Sequence, residues 1–354
     1  MLLAKSNGVS LSEHTKGLLK QARILFEVAN FPEDLKKLIE FAIFFHDVGK
    51  VHPEFQKKVG NKVKDSLPEV PHSLFSLVFM DMLKLKRIFE KEIKILRSAV
   101  AFHHHNDTIR SIVLNGDKEN FPKAMKSLKE NESLREKLLK LLQEEMKEFE
   151  EFAEYIGYSA YLNYNGQSLR DDLIYPYARY YEEEKLNKLT VVLGTLMRVD
   201  HFTSYIQKEN IDEPIERKPV EYGVVEKAIG ERLGCNIWQF EKLKRDKNII
   251  LIAPTGAGKT EYAFLWGAGT KMFFTLPLKN QVNSIYDRAK AVFKDENVGL
   301  LHSDADLKLL NSDDVKEGER ERIIELSHYL SYPVIVATGD QIFPSALRYP
   351  GYER

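Results

Sequence analysis

The chain has 354 residues, more than one compact core usually holds, so two domains are expected. The 52 lysines and arginines nearly cancel the 53 aspartates and glutamates, which excludes a global basic field. Cys235 is the single cysteine, which excludes an internal disulfide and is typical of a reducing compartment. No apolar stretch is long enough for a membrane span or a signal peptide, so we expect a cytoplasmic protein without a membrane partner.

Successive amphipathic helices are predicted in residues 10–105 and again from residue 131, so we interpret residues 1–207 as an all-α domain. Ser10 and Glu13 have the spacing of a capping box, so the first helix should begin at Leu11. A loop is expected at 110–130. Further helices are predicted at 33–45, 71–89, 91–104, 131–156 and 184–207.

The pattern changes after residue 207. Residues 208–225 are polar and contain prolines, which predicts a linker. Residues 226–354 then alternate short apolar runs with helical patterns, as in a parallel α/β domain. Buried strands are predicted at 248–253, 271–276 and 333–337.

Several ionisable side chains lie on or beside the apolar stripes of the predicted helices. Burying each of them without a partner would be costly, so convergence on metal ions is favoured over a set of satisfied core histidines. We expect His52 to lie in a solvated loop, His105 at a helix end, and His201 facing away from the cluster. The candidate ligands are His14, His46, His72, His103, His104 and Asp200, together with Asp47.

The string His46-Asp47-Val48-Gly49-Lys50 is the most informative part of this set. Adjacent His46 and Asp47 at a helix end can reach one site, where a carboxylate can bridge two metal ions. Gly49 lets the chain leave the helix, and Lys50 then brings a cation near the site.

Residues 46–56 resemble the HD phosphohydrolase superfamily and, more narrowly, the HD nuclease domain of the signature nuclease–helicase of type I CRISPR–Cas systems. The pair His103-His104 resembles that family's double-histidine motif, although the frame His104-His105 stays open. The resemblance extends over nearly all of the chain.

The resemblance implies two divalent ions and a role for each ligand. His14, His46, Asp47 and Asp200 would hold one ion, and Asp47, His72, His103 and His104 the other. Asp47 would be catalytic together with Lys50, which would lie near the scissile phosphate. Imidazole-rich sites favour Mn, Ni, Co or Fe over Mg.

A phosphate-binding loop follows the apolar run at 248–253. Residues 253–260 form a Walker A loop with alanine in place of the first glycine. Its glycines permit the tight turn, its lysine reaches the β- and γ-phosphates of ATP, and its last threonine offers a hydroxyl to Mg. The candidate nucleotide-binding residues are Thr255, Gly256, Gly258, Lys259 and Thr260.

The loop's Ala-Pro-Thr-Gly form resembles superfamily 2 helicases, as do the strings at 275–288, 302–304 and 334–341. Gln239 is a candidate for the adenine-reading glutamine of that family. No Asp-Glu pair of the motif II kind follows Gln341, so we expect a first RecA-like lobe truncated before motif II. Such a lobe should bind nucleotide weakly and hydrolyse none.

The function that these motifs imply is metal-dependent cleavage of DNA in CRISPR interference. The preference for single-stranded DNA and the partnership with a crRNA-guided surveillance complex come from the resemblance alone. One alternative is an HD phosphohydrolase acting on nucleotides or cyclic nucleotides. Another is a non-catalytic nucleic-acid-binding module with a structural metal.

Overall fold

A computed structural model gives the fold of the chain. It divides into two compact units, one from Met1 to Glu213 and the other from Pro214 onward. No helix in the described ranges combines the length and apolarity that a membrane crossing requires. The structure describes residues 1–62, 67, 69–104, 130–164, 183–234, 238–310 and 317–346.

The first unit is helical. Short 3₁₀ turns lie at Val48–Val51, Ser76–Phe79, Glu90–Glu92 and Ser159–Tyr161. Its α-helices are α1 (Leu11–Ala29), α2 (Glu33–Phe45), α3 (Pro53–Lys58), α4 (His72–Phe75), α5 (Met82–Phe89), α6 (Ile93–Phe102), α7 (Glu132–Glu145), α8 (Lys147–Tyr155) and α9 (Glu183–Glu209).

The predicted start of α1 is confirmed by its capping hydrogen bonds. The Ser10 hydroxyl accepts from the backbone N–H of Glu13 at 3.1 Å, and the Ser10 N–H donates to the Glu13 carboxylate at 3.0 Å. These bonds satisfy N–H groups that the first helical turn cannot pair. The prediction for α2 is confirmed as well.

The prediction of one helix over 71–89 is wrong. Met80 is extended and forms a β-bridge with Leu162, which interrupts the helical hydrogen bonding. The Asp81 side chain then accepts from the backbone N–H of Lys84 and begins α5 as a separate helix. The region 131–156 is likewise two helices, α7 and α8, and the loop predicted at 110–130 lies almost wholly outside the described residues.

Helix α9 positions the rest of the first unit, because it packs against α1, α2 and α6. The interior between these helices is rich in fully buried aromatic side chains. They include Phe44, Phe45, Phe75, Phe79, Phe149 and Phe202. A closely packed aromatic interior holds the helices that carry the candidate ligands in fixed positions.

The second unit is an α/β region built on a three-stranded parallel sheet. The strands are β1 (Met272–Leu276), β2 (Val298–Leu301) and β3 (Val334–Thr338), in the order β1-β3-β2. Its helices are α10 (Tyr222–Leu233), α11 (Trp238–Glu241), α12 (Lys259–Gly267), α13 (Lys279–Phe293), α14 (Ala305–Leu310), α15 (Glu317–His328) and α16 (Gly339–Ala346). The predicted fold, an all-α HD-type domain followed by a partial α/β RecA-like domain, is confirmed.

The strand predicted at 248–253 is wrong. Among the described residues no strand pairs with this segment, and Ile250 and Ile252 are each 93% exposed. An apolar run becomes a buried strand only where a neighbouring strand accepts and donates the ladder hydrogen bonds. Here the three strands of the sheet pair with one another, and the segment leads into the phosphate-binding loop as an irregular stretch.

The segment predicted as a linker is partly buried. Helix α9 continues to Glu209, and α10 already begins at Tyr222. Between them Glu213, Ile215 and Glu216 are buried, with Ile215 completely inaccessible. A polar, proline-containing composition therefore did not imply exposure here.

Candidate metal centre and phosphate-binding loop

His46 and Asp47 lie at the point where α2 gives way to a 3₁₀ turn. His46 is the C-cap of α2, and Asp47 leaves the helical conformation with φ −109° and ψ 0°. This change of backbone direction turns two consecutive side chains toward the same place. Both side chains are buried.

Ser76 ties this turn to the segment that carries His72. The Ser76 hydroxyl donates to the His46 carbonyl and accepts from the Gly49 N–H, both at 2.8 Å. Gly49 is required for the close approach, because a Cβ atom there would lie 2.0 Å from the His72 carbonyl oxygen. The glycine serves this approach as well as the exit from the helix.

The two carboxylate oxygens of Asp47 face different histidines. Oδ2 lies 3.2 Å from His46 Nε2 and 3.7 Å from His14 Nε2. Oδ1 lies 3.5 Å from His72 Nε2 and 3.6 Å from His103 Nε2. Asp47 therefore belongs to two groups of potential ligands, in each of which the ligand atoms lie within 4.8 Å of one another. The groups are His14, His46 and Asp47, and Asp47, His72, His103 and His104.

Among the described residues, Asp47 Oδ1 and the Nε2 atoms of His46 and His103 are buried without a hydrogen-bond partner, and Asp47 Oδ2 is buried with the Lys50 ammonium as its ion-pair partner. His46 Nδ1–H donates to the Ile43 carbonyl and His103 Nδ1–H to the Val100 carbonyl, each at 2.7 Å. The Nε2 atom of each imidazole is thus directed at Asp47. Unpaired buried acceptors are costly, and a shared cation satisfies them, so these residues fit divalent metal ions.

His72 and His104 form the more accessible part of the second group. Their Nε2 atoms lie 2.9 Å apart, and both side chains are only partly buried. Burial lowers the pKa of His104 to about 3 and holds that of His72 well below its usual range. Both rings are therefore neutral at physiological pH, which is the form that binds a metal.

Asp200 contacts the first group of potential ligands through His14. Its Oδ1 lies 3.0 Å from His14 Nε2, and His14 Nδ1–H donates to Gln207 Oε1 at 2.8 Å. Burial lowers the pKa of His14, so the neutral ring directs the lone pair of Nε2 at the carboxylate. Two acceptors at 3.0 Å are stabilised by a cation between them, so Asp200 is placed to join His14 as a ligand.

Lys50 lies inside the centre. Its Nζ is 2.6 Å from Asp47 Oδ2 and lies over the ring of Phe55, 5.4 Å from the ring centroid. Burial opposes ionisation of Asp47, but the positive charges of His46 and Lys50 hold the pKa of this carboxyl well below its usual range. Asp47 is therefore an anion in the folded protein.

The phosphate-binding loop has the backbone that its glycines predict. Gly256 and Gly258 have φ of +81° and +82°, a region that other residues rarely adopt. The Lys259 ammonium donates to the carbonyls of Ala253 and Pro254, both at 2.8 Å. Thr255 and Thr260 flank the turn, Thr255 exposed and Thr260 in the first turn of α12.

Gln239 and Trp238 contact this loop from α11. Gln239 Nε2 lies 3.1 Å from the Ala257 carbonyl and 3.3 Å from that of Gly258. Trp238 donates to the Ala257 carbonyl at 2.8 Å and stacks on Tyr262. Both side chains therefore support the backbone of the loop.

Comparison with known families assigns both regions. Residues 8–164 match the Cas3 HD-domain family, and residues 239–347 match the DEAD/DEAH box helicase family. The chain joins a Cas3 HD domain to a DEAD/DEAH-box helicase domain.

Relatives with the same combination are considerably longer. The CRISPR-associated nuclease/helicase Cas3 of Methanothermobacter thermautotrophicus is 24% identical over 360 residues, which cover 90% of this chain and 42% of the relative. A relative from Methanocaldococcus jannaschii is 30% identical over 155 residues, 40% of this chain and 20% of the relative. The crystal structure of T. fusca Cas3 aligns with a TM-score of 0.47 and 14% identity over 94% of this chain and 42% of that one. The chain thus spans less than half the length of the relatives it matches.

Two side chains beside the candidate metal centre were not found from the sequence. Ser204 and Gln207 follow Asp200 by four and seven residues, so helical spacing alone could have placed them on its face. The expectation of a solvated His52 is wrong. Its ring is buried against Phe75, and its Nδ1 accepts from the Glu54 N–H to cap α3. His105 lies outside the described residues.

Proposed function

We propose that the Cas3 HD domain of this chain is a metal-dependent nuclease that hydrolyses phosphodiester bonds of single-stranded DNA in CRISPR interference. One observation carries the proposal. Both oxygens of Asp47 are buried, and each faces a separate group of histidines, while Oδ2 also pairs with the Lys50 ammonium. A carboxylate placed in this way suits a bridging position between two cations.

The ligand sets follow from this position. His14, His46, Asp47 and Asp200 would hold one ion, and the other would be held by Asp47 with His72, His103 and His104. Imidazole predominates among these ligands, so Mn, Ni, Co or Fe is favoured, and Mg is possible. Such ions, when bound, lower the pKa of water and neutralise charge on phosphate oxygens.

The chain's own side chains orient the ligands and the substrate. The carbonyls that accept from His46 and His103 fix both rings, so little reorganisation is needed when substrate arrives. His72 and His104 are the partly exposed ligands, which supports approach of the DNA strand from their side. The Lys50 ammonium, beside Asp47, would then be available to a phosphate oxygen.

The fused helicase domain and the nuclease/helicase names of the relatives support a nucleic acid as the substrate, for which we propose DNA. A nucleotide hydrolase has no need of helicase motifs, whereas a nuclease is served by a motor that delivers a single strand. We therefore propose the displaced DNA strand and a crRNA-guided surveillance complex as partners in the cytoplasm.

The helicase domain is proposed to bind ATP with Mg. The left-handed glycines of the loop leave its N–H groups available to phosphates, and Lys259 can exchange its two carbonyl acceptors for phosphate oxygens.

The decisive experiment is degradation of circular single-stranded DNA with Mn²⁺, Ni²⁺, Co²⁺ or Mg²⁺. Wild type and the exposed-histidine control His328→Ala should cleave the DNA. Asp47→Ala should not cleave it, although its circular dichroism spectrum should equal that of wild type. A panel of nucleotides and cyclic nucleotides is assayed in parallel. Metal-loaded, folded wild type that leaves DNA intact, or hydrolyses only the nucleotide panel, would overturn the proposal.

A further inference from the structure

The first ten residues form a small, tightly held hairpin ahead of α1. The Ala4 N–H donates to the Val9 carbonyl and the Leu11 N–H to the Leu2 carbonyl, both at 2.8 Å. Leu2 and Ala4 are buried. This hairpin carries Lys5, so the base of the Lys5 side chain starts from a fixed backbone position.

Gln56 joins the hairpin to the segment that follows Asp47. Its amide accepts from the Leu3 N–H at 3.0 Å and donates to the Leu3 carbonyl at 2.9 Å. The same amide nitrogen donates to the Lys50 carbonyl at 2.8 Å. One buried side chain therefore fixes the backbones that carry Lys5 and Lys50 relative to each other.

The Lys5 ammonium lies on the Asp200 side of the centre. It donates to the hydroxyl of Ser204, which in turn donates to Asp200 Oδ1 at 3.3 Å. Among the described residues Ser204 is its single hydrogen-bond partner, so two of its three N–H groups remain for another acceptor. The Lys5 side chain is also only partly buried, so a ligand can reach it.

We infer that Lys5 binds a phosphate oxygen of the DNA strand at the metal centre, beside Asp200. The inference rests on the proposed nuclease function. Lys50 is engaged with Asp47 Oδ2, whereas Lys5 touches the carboxylates only through Ser204 and keeps its remaining donors for an anion. A phosphodiester is such an anion, and a charge-assisted hydrogen bond to it is strong.

The partial burial of Lys5 suits this role. Burial lowers its pKa to about 8, while the carboxylates of Asp200 and Asp47 act in the opposite direction. The ammonium therefore stays largely charged at neutral pH in a site where water screens it poorly.

The variant Lys5→Met tests the inference. Its control is Lys16→Met, which removes an exposed lysine from α1. A short phosphorothioate oligothymidylate, which keeps its charge and resists cleavage, is titrated by fluorescence anisotropy over a range of salt. Affinity should fall about tenfold in Lys5→Met, as for loss of one charge-assisted hydrogen bond. The slope of log K against log salt should become shallower by about 0.7, the value for one contact to a single strand. Mn²⁺ affinity by calorimetry should be unchanged, and Lys5→Arg should keep most of the DNA affinity.

Three results separate the alternatives. DNA affinity and salt slope equal to those of Lys16→Met would overturn the inference. Loss of Mn²⁺ affinity in Lys5→Met and equally in Ser204→Ala would also overturn it, because Lys5 would then act by positioning Asp200. If wild type binds Mn²⁺ and the oligonucleotide but cleaves no DNA, the nuclease function fails, whatever Lys5→Met shows in the binding assay.

Discussion

Gly49 lies so close to His72 that a Cβ atom on the glycine would sit 2.0 Å from the His72 carbonyl oxygen. The contact joins the two parts of the candidate metal centre. The turn after α2 presents His46 and Asp47, and the start of α4 presents His72. The approach of these two backbones brings Asp47 Oδ1 within 3.5 Å of His72 Nε2.

Gly49→Ala is therefore expected to destabilise the protein and disturb metal binding. The added methyl group meets backbone, which cannot turn aside as a flexible side chain would. We expect a loss of about 3 kcal/mol in the free energy of unfolding, as for overpacking in a core. Urea denaturation measures it, and Gly223→Ala, where the methyl group meets open space, is the control. Equal stability of the two variants would contradict this account.

Asp47→Ala should abolish the stabilisation of the protein by metal. An ion that binds only the folded state, at a concentration about 100 times its Kd, contributes about 2.7 kcal/mol. Wild type should show this gain when Mn²⁺ is added in a thermal melt, because Asp47 contributes to both ligand groups. The variant should show little gain, and His328→Ala should behave as wild type. A full gain in Asp47→Ala would show that the ions bind without the carboxylate.

Gln207→Leu should weaken metal binding without removing any ligand. Gln207 Oε1 holds the proton of His14 on Nδ1 and so keeps Nε2 free to bind. Loss of such an outer partner typically costs about 10–100-fold in metal affinity. Gln207→Glu retains an acceptor at this position and should bind Mn²⁺ at least as tightly as wild type. Isothermal titration calorimetry compares the three proteins, and equal affinity for Gln207→Leu would refute the assignment.

Metal affinity should rise with pH up to the pKa of His46 and then level off. In metal-free protein burial opposes the charge on His46, but the Asp47 carboxylate outweighs it and raises the pKa of His46 above its usual value. The proton on His46 therefore competes with metal below that pKa and is absent above it. The pKa values of His72 and His104 are lowered, so these rings compete little in the same range.

Calorimetry in two buffers of different ionisation enthalpy tests this expectation. Slightly below the pKa of His46, binding of metal should release about one proton, and affinity should increase about tenfold per pH unit. The same proton stabilises the fold of the metal-free protein. This stabilisation is fully present at pH values below the pKa of His46 in the unfolded chain, and it is lost as the pH rises through the pKa of His46 in the folded protein. Affinity that is independent of pH, or release of three protons, would contradict the prediction.

Lys259→Ala should lose affinity for ATP and retain cleavage of DNA. Lys259 supplies the charge of the loop, and its hydrogen bonds to Ala253 and Pro254 are the ones that phosphate oxygens would replace. A fluorescent ATP analogue reports the binding, with Lys244→Ala as the exposed-lysine control. Loss of metal-dependent DNA cleavage in Lys259→Ala would contradict this prediction and show that the nuclease depends on the nucleotide.

The sequence by itself determined the features that depend on neighbours along the chain. Ser10 and Glu13 fix the start of α1 because their hydrogen bonds close within one turn. Helical periodicity placed His14, His46 and Asp200 on buried faces, and two glycines marked the left-handed positions of the phosphate-binding loop. Local geometry was sufficient for each of these.

Only the tertiary structure decided the features that depend on distant partners. Residues 248–253 have the apolar run of a strand but lack a neighbour to pair with, and Met80 pairs with Leu162, which ends a predicted helix. The division of Asp47 between two histidine groups depends on four helices and the turns that end them, and the link from Lys5 to Asp200 spans almost two hundred residues. Periodicity reports which face of an element is buried, but the atoms that meet there are set by packing between elements.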